Sequence, residues 1–159
     1  MRELAERVGD KLKASGAMLV TAESCTGGWV AQAVTSIPGS SDWFERGFVC
    51  YSNASKEELL EVARDTLERH GAVSEEAALE MALGALRHSK GSVSVAVTGV
   101  AGPTGGTAAK PVGMVCFAWA RGGKMSAETR TETKLFEGDR ESVRRQSVIH
   151  ALQGVLELL

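Results

Sequence analysis

Between positions 17 and 37 the sequence changes its period, and few folds accommodate the change. Ala17-Met18-Leu19-Val20 is short, continuous and apolar, as in a buried strand, whereas Trp29, Val30, Ala33, Val34 and Ile37 recur at helical spacing. The link between them, Thr21-Ala22-Glu23-Ser24-Cys25-Thr26-Gly27-Gly28, is small and rich in hydroxyls. A strand feeding a helix through such a turn belongs to open sheets covered by helices. Those sheets bind ligands beyond the carboxyl ends of their strands, where the next helix aims free N–H groups and a partial positive charge. Ser24 stands at that place. Two roles are open to it: a helix cap, since Ser is a preferred N-cap residue, or a reactive hydroxyl, which requires partners from elsewhere in the chain.

Leu4, Ala5, Val8 and Leu12 mark a first helix that breaks near Ser15-Gly16, and Pro38-Gly39-Ser40-Ser41 is a loop. Strands are expected at 47–51, 92–98, 112–120 and 126–136, the last two joined through Arg121-Gly122-Gly123-Lys124 as a hairpin. Its second strand alternates Thr with charged residues, which suits an antiparallel edge strand. Helices are expected from Ser55 to His70-Gly71, from Ser74 through Leu86, and from Gly138 or Asp139 to the end. With the opening strand this makes a mostly parallel or mixed sheet of about five strands between helices, an α/β sandwich.

A chain of 159 residues, 43% hydrophobic, fits one domain spanning 1–159. Its net charge of −2 gives no reason to expect nucleic acid. The apolar runs are far shorter than the roughly 18 residues of a membrane span, and residues 1–15 follow helical spacing instead of a signal-peptide layout. A cytoplasmic protein is expected, with no membrane partner. Cys25, Cys50 and Cys116 are odd in number and lack C-x-x-C spacing, so they read as reduced thiols and no metal site is expected. Cys25 is better read as a small buried hydrophobe than as a nucleophile. His70, His88 and His150 fall on helical patterns away from strand ends, so the base for a reactive Ser24 is expected to be another residue.

Lys56 is the candidate. Ser55-Lys56-Glu57-Glu58 has the form of a capping box, which puts Lys56 in a first helical turn, where the macrodipole disfavours an ammonium. Such a lysine, partly buried, is a tuned base; exposed, it is an ordinary surface cation. Tyr51 can relay or orient a proton, or serve as an amphipathic core residue. The N–H groups of Cys25, Thr26 and Gly27 are candidate oxyanion donors, with Gly28 closing the turn. Thr98 leads into a second junction, Gly99-Val100-Ala101-Gly102-Pro103-Thr104-Gly105-Gly106, whose glycines permit close backbone approach to a ligand or simply make a long turn. Arg140 opens the last helix, at the end unfavourable for a cation unless an anion such as phosphate joins it; Arg144 and Arg145, one turn on, are alternatives. Together these suggest acyl chemistry on an amide or ester by a Ser–Lys pair.

Several stretches also carry a resemblance. Glu23-Ser24-Cys25-Thr26-Gly27-Gly28, Pro38-Gly39-Ser40-Ser41, Tyr51-Ser52-Asn53 with Lys56, Gly71-Ala72-Val73-Ser74-Glu75, Thr98-Gly99-Val100-Ala101-Gly102-Pro103 and Lys110-Pro111-Val112-Gly113 resemble, in order and over nearly the whole chain, the motifs of the CinA C-terminal family. The resemblance implies a three-layer α/β/α fold without metal or cofactor. It also implies hydrolysis of nicotinamide mononucleotide to nicotinate mononucleotide and ammonia, an activity of pyridine nucleotide recycling. By it Ser24 is the nucleophile, Tyr51 and Lys56 activate it, and Thr98 and Arg140 contact substrate. Departures are Ser55 where an Ala is common before the lysine, Cys50, and Trp29. Many relatives carry this module behind a larger N-terminal domain, and the chain resembles the stand-alone members. The competing expectations are a non-catalytic nucleotide-binding or regulatory module and an amidase of another small amide. A homo-oligomer, preferably a dimer, is expected from the chance that Trp29, Trp43 and Trp119 expose an apolar patch.

Overall fold

Alternation along the strands decides which helices lie on which face. The computed structural model describes residues 1–123 and 126–159. Strands β1 (Leu19–Glu23), β2 (Phe44–Val49), β3 (Val93–Gly99), β4 (Met114–Gly122) and β5 (Ala127–Leu135) form one sheet in the order β2-β1-β3-β4-β5. Val93, Val95, Val97, Val115, Phe117 and Trp119 point to one side and pack on helices α1 (Arg2–Ser15), α2 (Trp29–Thr35) and α6 (Arg140–Leu158). Ala96, Cys116, Ala118 and Ala120 point to the other, under α3 (Asn53–Leu60), α4 (Arg64–His70) and α5 (Glu75–Arg87). The second face is made of small residues, and α5 answers with Ala77, Ala78, Ala82 and Ala85, so this layer sits close to the sheet. The result is a three-layer α/β/α sandwich.

Strands β2, β1 and β3 are parallel, and β3, β4 and β5 are antiparallel, so the sheet is mixed and ends in a hairpin edge. From β1 the chain passes through α2 to β2 on one side, then returns through α3, α4 and α5 to β3 on the other. The carboxyl end of β1 is therefore a topological switch point, where open α/β sheets hold their ligands. Ser24, Cys50 and the chain after Gly99 all leave the sheet at this edge.

Several boundaries differ from the sequence reading. β1 begins at Leu19 and carries the extended chain through Glu23, so the turn proper starts at Ser24. β2 spans Phe44–Val49 instead of 47–51, because its parallel register starts at Leu19 opposite Phe44. Arg121 and Gly122 belong to β4, and the expected hairpin turn reaches Lys124, outside the described residues. The helix expected from Ser55 to His70 is two helices. The N-cap of α3 is Ser52, whose Oγ accepts from the Ser55 N–H at 3.1 Å, and Ser55 returns its own hydroxyl to the Ser52 carbonyl. The helix stops where Glu61 takes a left-handed conformation (φ 57°) and the Val62 N–H bonds back to Lys56 O. A Cβ on Gly84 of α5 would sit 2.0 Å from the Leu60 carbonyl, so the end of α3 is pressed against the α5 backbone. The tryptophans form no exposed patch: Trp43 and Trp119 are buried, and Trp29 is half-buried beneath Arg144 and Arg145. No helix among the described residues is long and apolar enough to cross a membrane.

Candidate active site

Ser24 is the first residue beyond β1. Its N–H continues the ladder to Val97 O at 2.9 Å, and its carbonyl accepts from the Gly27 N–H at 3.0 Å, closing a tight turn. The backbone carbonyl, and not the hydroxyl, thus serves as the local acceptor, and Ser24 does not cap α2. That helix starts after Gly28, which has φ 98°, a left-handed conformation that disfavours side chains. The cap is Glu23. Its carboxylate, 1% exposed, accepts from the Val30 and Ala31 N–H groups at 2.7 and 3.0 Å and from the Thr26 hydroxyl at 2.8 Å. An internal anion therefore already occupies the positive end of α2. The sequence carries one sign of this, an acidic residue between a buried strand and a helix start.

The Ser24 hydroxyl faces Lys56. The lysine Nζ donates to Ser24 Oγ at 3.0 Å and to the carbonyls of Cys50 and Tyr51 at 3.0 and 3.1 Å. Lys56 is 1% exposed and has no carboxylate partner among the described residues. Burial holds its ammonium below the ordinary lysine pKa, offset in part by the charges that Cys50 and Cys25 would carry. The expected causes of this shift are the macrodipole and partial burial together; with Ser52 as the cap, Lys56 stands beyond the first turn of α3, and burial is the larger cause.

Tyr51 differs from its expected role. Its carbonyl, not its phenol, meets the lysine; the side chain is 65% exposed and its hydroxyl lies 3.5 Å from Arg140 Nη2. The phenol stands at the mouth of the site and makes no hydrogen bond to Ser24 or Lys56 among the described residues. Thr98 is buried and its hydroxyl is spent on Ala72 O at 2.8 Å, tying the β3 end to the chain before α5. Gly102, with φ 82°, packs against Val112 and offers its carbonyl to Arg140 Nη1 at 2.8 Å. Cys25 is buried, and its thiol is pushed up to about 12 by burial, so it is inert as a nucleophile.

Ser24, Cys25, Tyr51, Lys56, Thr98, Gly99 and Arg140 line one pocket of about 190 Å³. Arg140 is shared with a shallower cleft of about 480 Å³ whose other walls are Trp29, Glu141 and Arg144. Neither Arg140 nor Arg144 is paired with a carboxylate among the described residues, whereas Arg145 is held by Glu141 at 3.0 Å. Arg144 is committed instead to the turn itself, with Nε and Nη2 on the carbonyls of Cys25 and Thr26 at 3.1 and 3.0 Å. The Gly27 N–H is consumed in the turn. The Cys25 and Thr26 N–H groups donate to no other residue among those described.

The buried Ser24 hydroxyl and Lys56 amine thus meet at the switch point of the sheet and face a small pocket with the Arg140 guanidinium at its rim. The chain matches the CinA C-terminal domain over residues 1–159 and belongs to that family. It is 52% identical over 153 residues to the nicotinamide-nucleotide amidohydrolase PncC of Escherichia coli strain K12, covering 96% of this chain and 91% of the relative. It is 51% identical over 155 residues to the protein of the same name from Pseudomonas putida, covering 98% and 94%. Among solved structures, the competence/damage inducible protein CihA from Agrobacterium tumefaciens superposes with a TM-score of 0.94 at 42% identity, over 99% of this chain and 94% of that one.

Proposed function

We propose that this chain hydrolyses the carboxamide of nicotinamide mononucleotide to the carboxylate and ammonia, with Ser24 as nucleophile and Lys56 as its base. The class is that of the amidohydrolases it resembles at 52% identity. The observation that carries the chemistry is the buried Lys56–Ser24 pair at 3.0 Å, with two backbone carbonyls on the same Nζ. In the ammonium form all three N–H bonds have acceptors. In the neutral amine, Cys50 O and Tyr51 O take the two remaining hydrogens, which turns the lone pair toward the Ser24 hydroxyl.

Neutral Lys56 accepts the hydroxyl proton as Ser24 Oγ bonds to the amide carbon, and negative charge forms on the carbonyl oxygen opposite the Cys25 and Thr26 N–H groups. The Lys56 ammonium then gives its proton to the departing nitrogen, ammonia leaves, and an acyl ester remains on Ser24. A water, deprotonated by the same amine, cleaves the ester and restores the hydroxyl. A pocket of about 190 Å³ suits a pyridine carboxamide, and the ribose phosphate then extends past Arg140 toward the Trp29 cleft. Tyr51, at the mouth beside Arg140, serves substrate contact in this scheme. Reduced thiols at all three cysteines suit a cytoplasmic enzyme of pyridine nucleotide recycling.

The test is incubation of the pure protein with nicotinamide mononucleotide, following ammonia and nicotinate mononucleotide. Ser24→Ala should release neither, and full activity in that variant would overturn the nucleophile assignment. Arg140→Ala should raise KM for the mononucleotide about 30-fold, the equivalent of a charge-assisted contact of about 2 kcal/mol, with little effect on hydrolysis of free nicotinamide. Equal losses on both substrates would remove the phosphate from Arg140.

A further inference from the structure

We infer that Arg144 is a positioning residue for the reaction, fixing the two peptide N–H groups that receive the developing oxyanion. The inference rests on the reading of Ser24 as the nucleophile. Its ground is that both hydrogen-bonding arms of Arg144 are spent on consecutive carbonyls of the Ser24 turn, Cys25 O at 3.1 Å and Thr26 O at 3.0 Å. The side chain reaches there from α6, 118 residues away, and lies over the Trp29 ring at 5.4 Å. Val143 and Val148 on the same helix are buried in the core, so the guanidinium is presented from a fixed base.

In a trans peptide the N–H points opposite to the carbonyl it shares a plane with. Holding Cys25 O therefore holds the Thr26 N–H on the far side of the turn. Holding Thr26 O sets the Gly27 N–H, which closes on Ser24 O at 3.0 Å, and this in turn sets the Cys25 N–H. All three peptides after Ser24 are thus fixed, two by Arg144 and one by the turn they form. From the other side Glu23 holds the Thr26 hydroxyl at 2.8 Å. A full positive charge on a carbonyl oxygen also polarises its peptide, which makes the shared N–H a stronger donor. Arg144 would thus act on the oxyanion through backbone, without touching it.

The role predicts a kinetic signature that a merely structural arginine would not give. In Arg144→Ala, kcat should fall about 100-fold, the scale of losing an oxyanion donor, while KM stays within about threefold. Millimolar guanidinium or methylguanidinium should restore part of kcat, and Arg144→Lys, which keeps the charge but not the fork, should stay well below wild type. A phosphonate mimic of the tetrahedral adduct should lose affinity in parallel with kcat, with the affinity for nicotinate mononucleotide unchanged. If Arg144→Ala fails to fold, the Arg144→Lys kinetics and mimic affinity decide alone. A raised KM with kcat retained would make Arg144 a substrate contact and overturn the inference, as would wild-type kcat. Ser24→Ala, run beside it, separates the two failures: an active Ser24→Ala removes the underlying reading, whereas an inactive Ser24→Ala with an unaffected Arg144→Ala removes only the inference.

Discussion

Lys56→Met is expected to abolish turnover, with kcat falling at least about 10³-fold, while leaving a folded protein. Methionine follows the same path through the core, removes the buried cation, and leaves the Cys50 and Tyr51 carbonyls without their donor. The gain and the loss oppose each other, so thermal stability near neutral pH should change little. The pH dependence should change more. Burial depresses the pKa of Lys56 in the folded state, so between that lowered value and the ordinary 10.5 the unfolded chain binds more protons than the folded one. Wild-type stability should therefore gain from this residue as pH rises through that window, and below it the burial penalty is present in full. Activity should rise with pH over the lower part of the same range as Lys56 loses its proton. Thermal unfolding and ammonia release followed from pH 7 to 10 check both. A Lys56→Met protein that still turns over would exclude the lysine as base, and a wild-type rise in stability that the variant retains in full would assign that rise to another group.

The second large effect is on the fold. Glu23→Ala should lower stability by about 3 kcal/mol, since it strips a buried cap and leaves the Val30 and Ala31 N–H groups and the Thr26 hydroxyl without an acceptor. For a chain of this size that corresponds to roughly 6–12 °C in Tm. Glu23→Gln should lie between, because it keeps one acceptor oxygen but turns an amide donor toward a helix end that already presents donors. Calorimetry on the three proteins decides. A Glu23→Ala Tm within about 2 °C of wild type would mean that water replaces the carboxylate at the helix end.

What was legible in the sequence was local. The Ser74 cap, the Asp139 start with Arg140 behind it, and the alternating valines of β3 are decided by residues a few positions apart, and they stand where expected. The α3 start was misread because Ser52 and Ser55 are both caps by composition; the choice between them falls to how the chain leaves β2. The break after Leu60 carries neither Gly nor Pro, and there the end of α3 lies against the α5 backbone at Gly84, a contact that local sequence does not show. At the site, the pairing of Ser24 with Lys56 was anticipated from two strand ends and a resemblance. The burial that tunes the lysine and its reach to Ser24 depend on contacts between distant segments, and the Cys50 and Tyr51 carbonyls that aim it, though close in sequence, are set by how the chain leaves β2, which no local pattern records.

Helix α6 supplies both guanidiniums at the site, and it follows Ser24, Lys56 and all five strands in the sequence. A chain folded only through β5 already owns Ser24 and Lys56, yet lacks Arg140 at the pocket and the Arg144 contacts that hold the Ser24 turn from outside. Competence for hydrolysis should thus arrive with the docking of α6, and during refolding ammonia release should recover no earlier than the slowest spectroscopic phase.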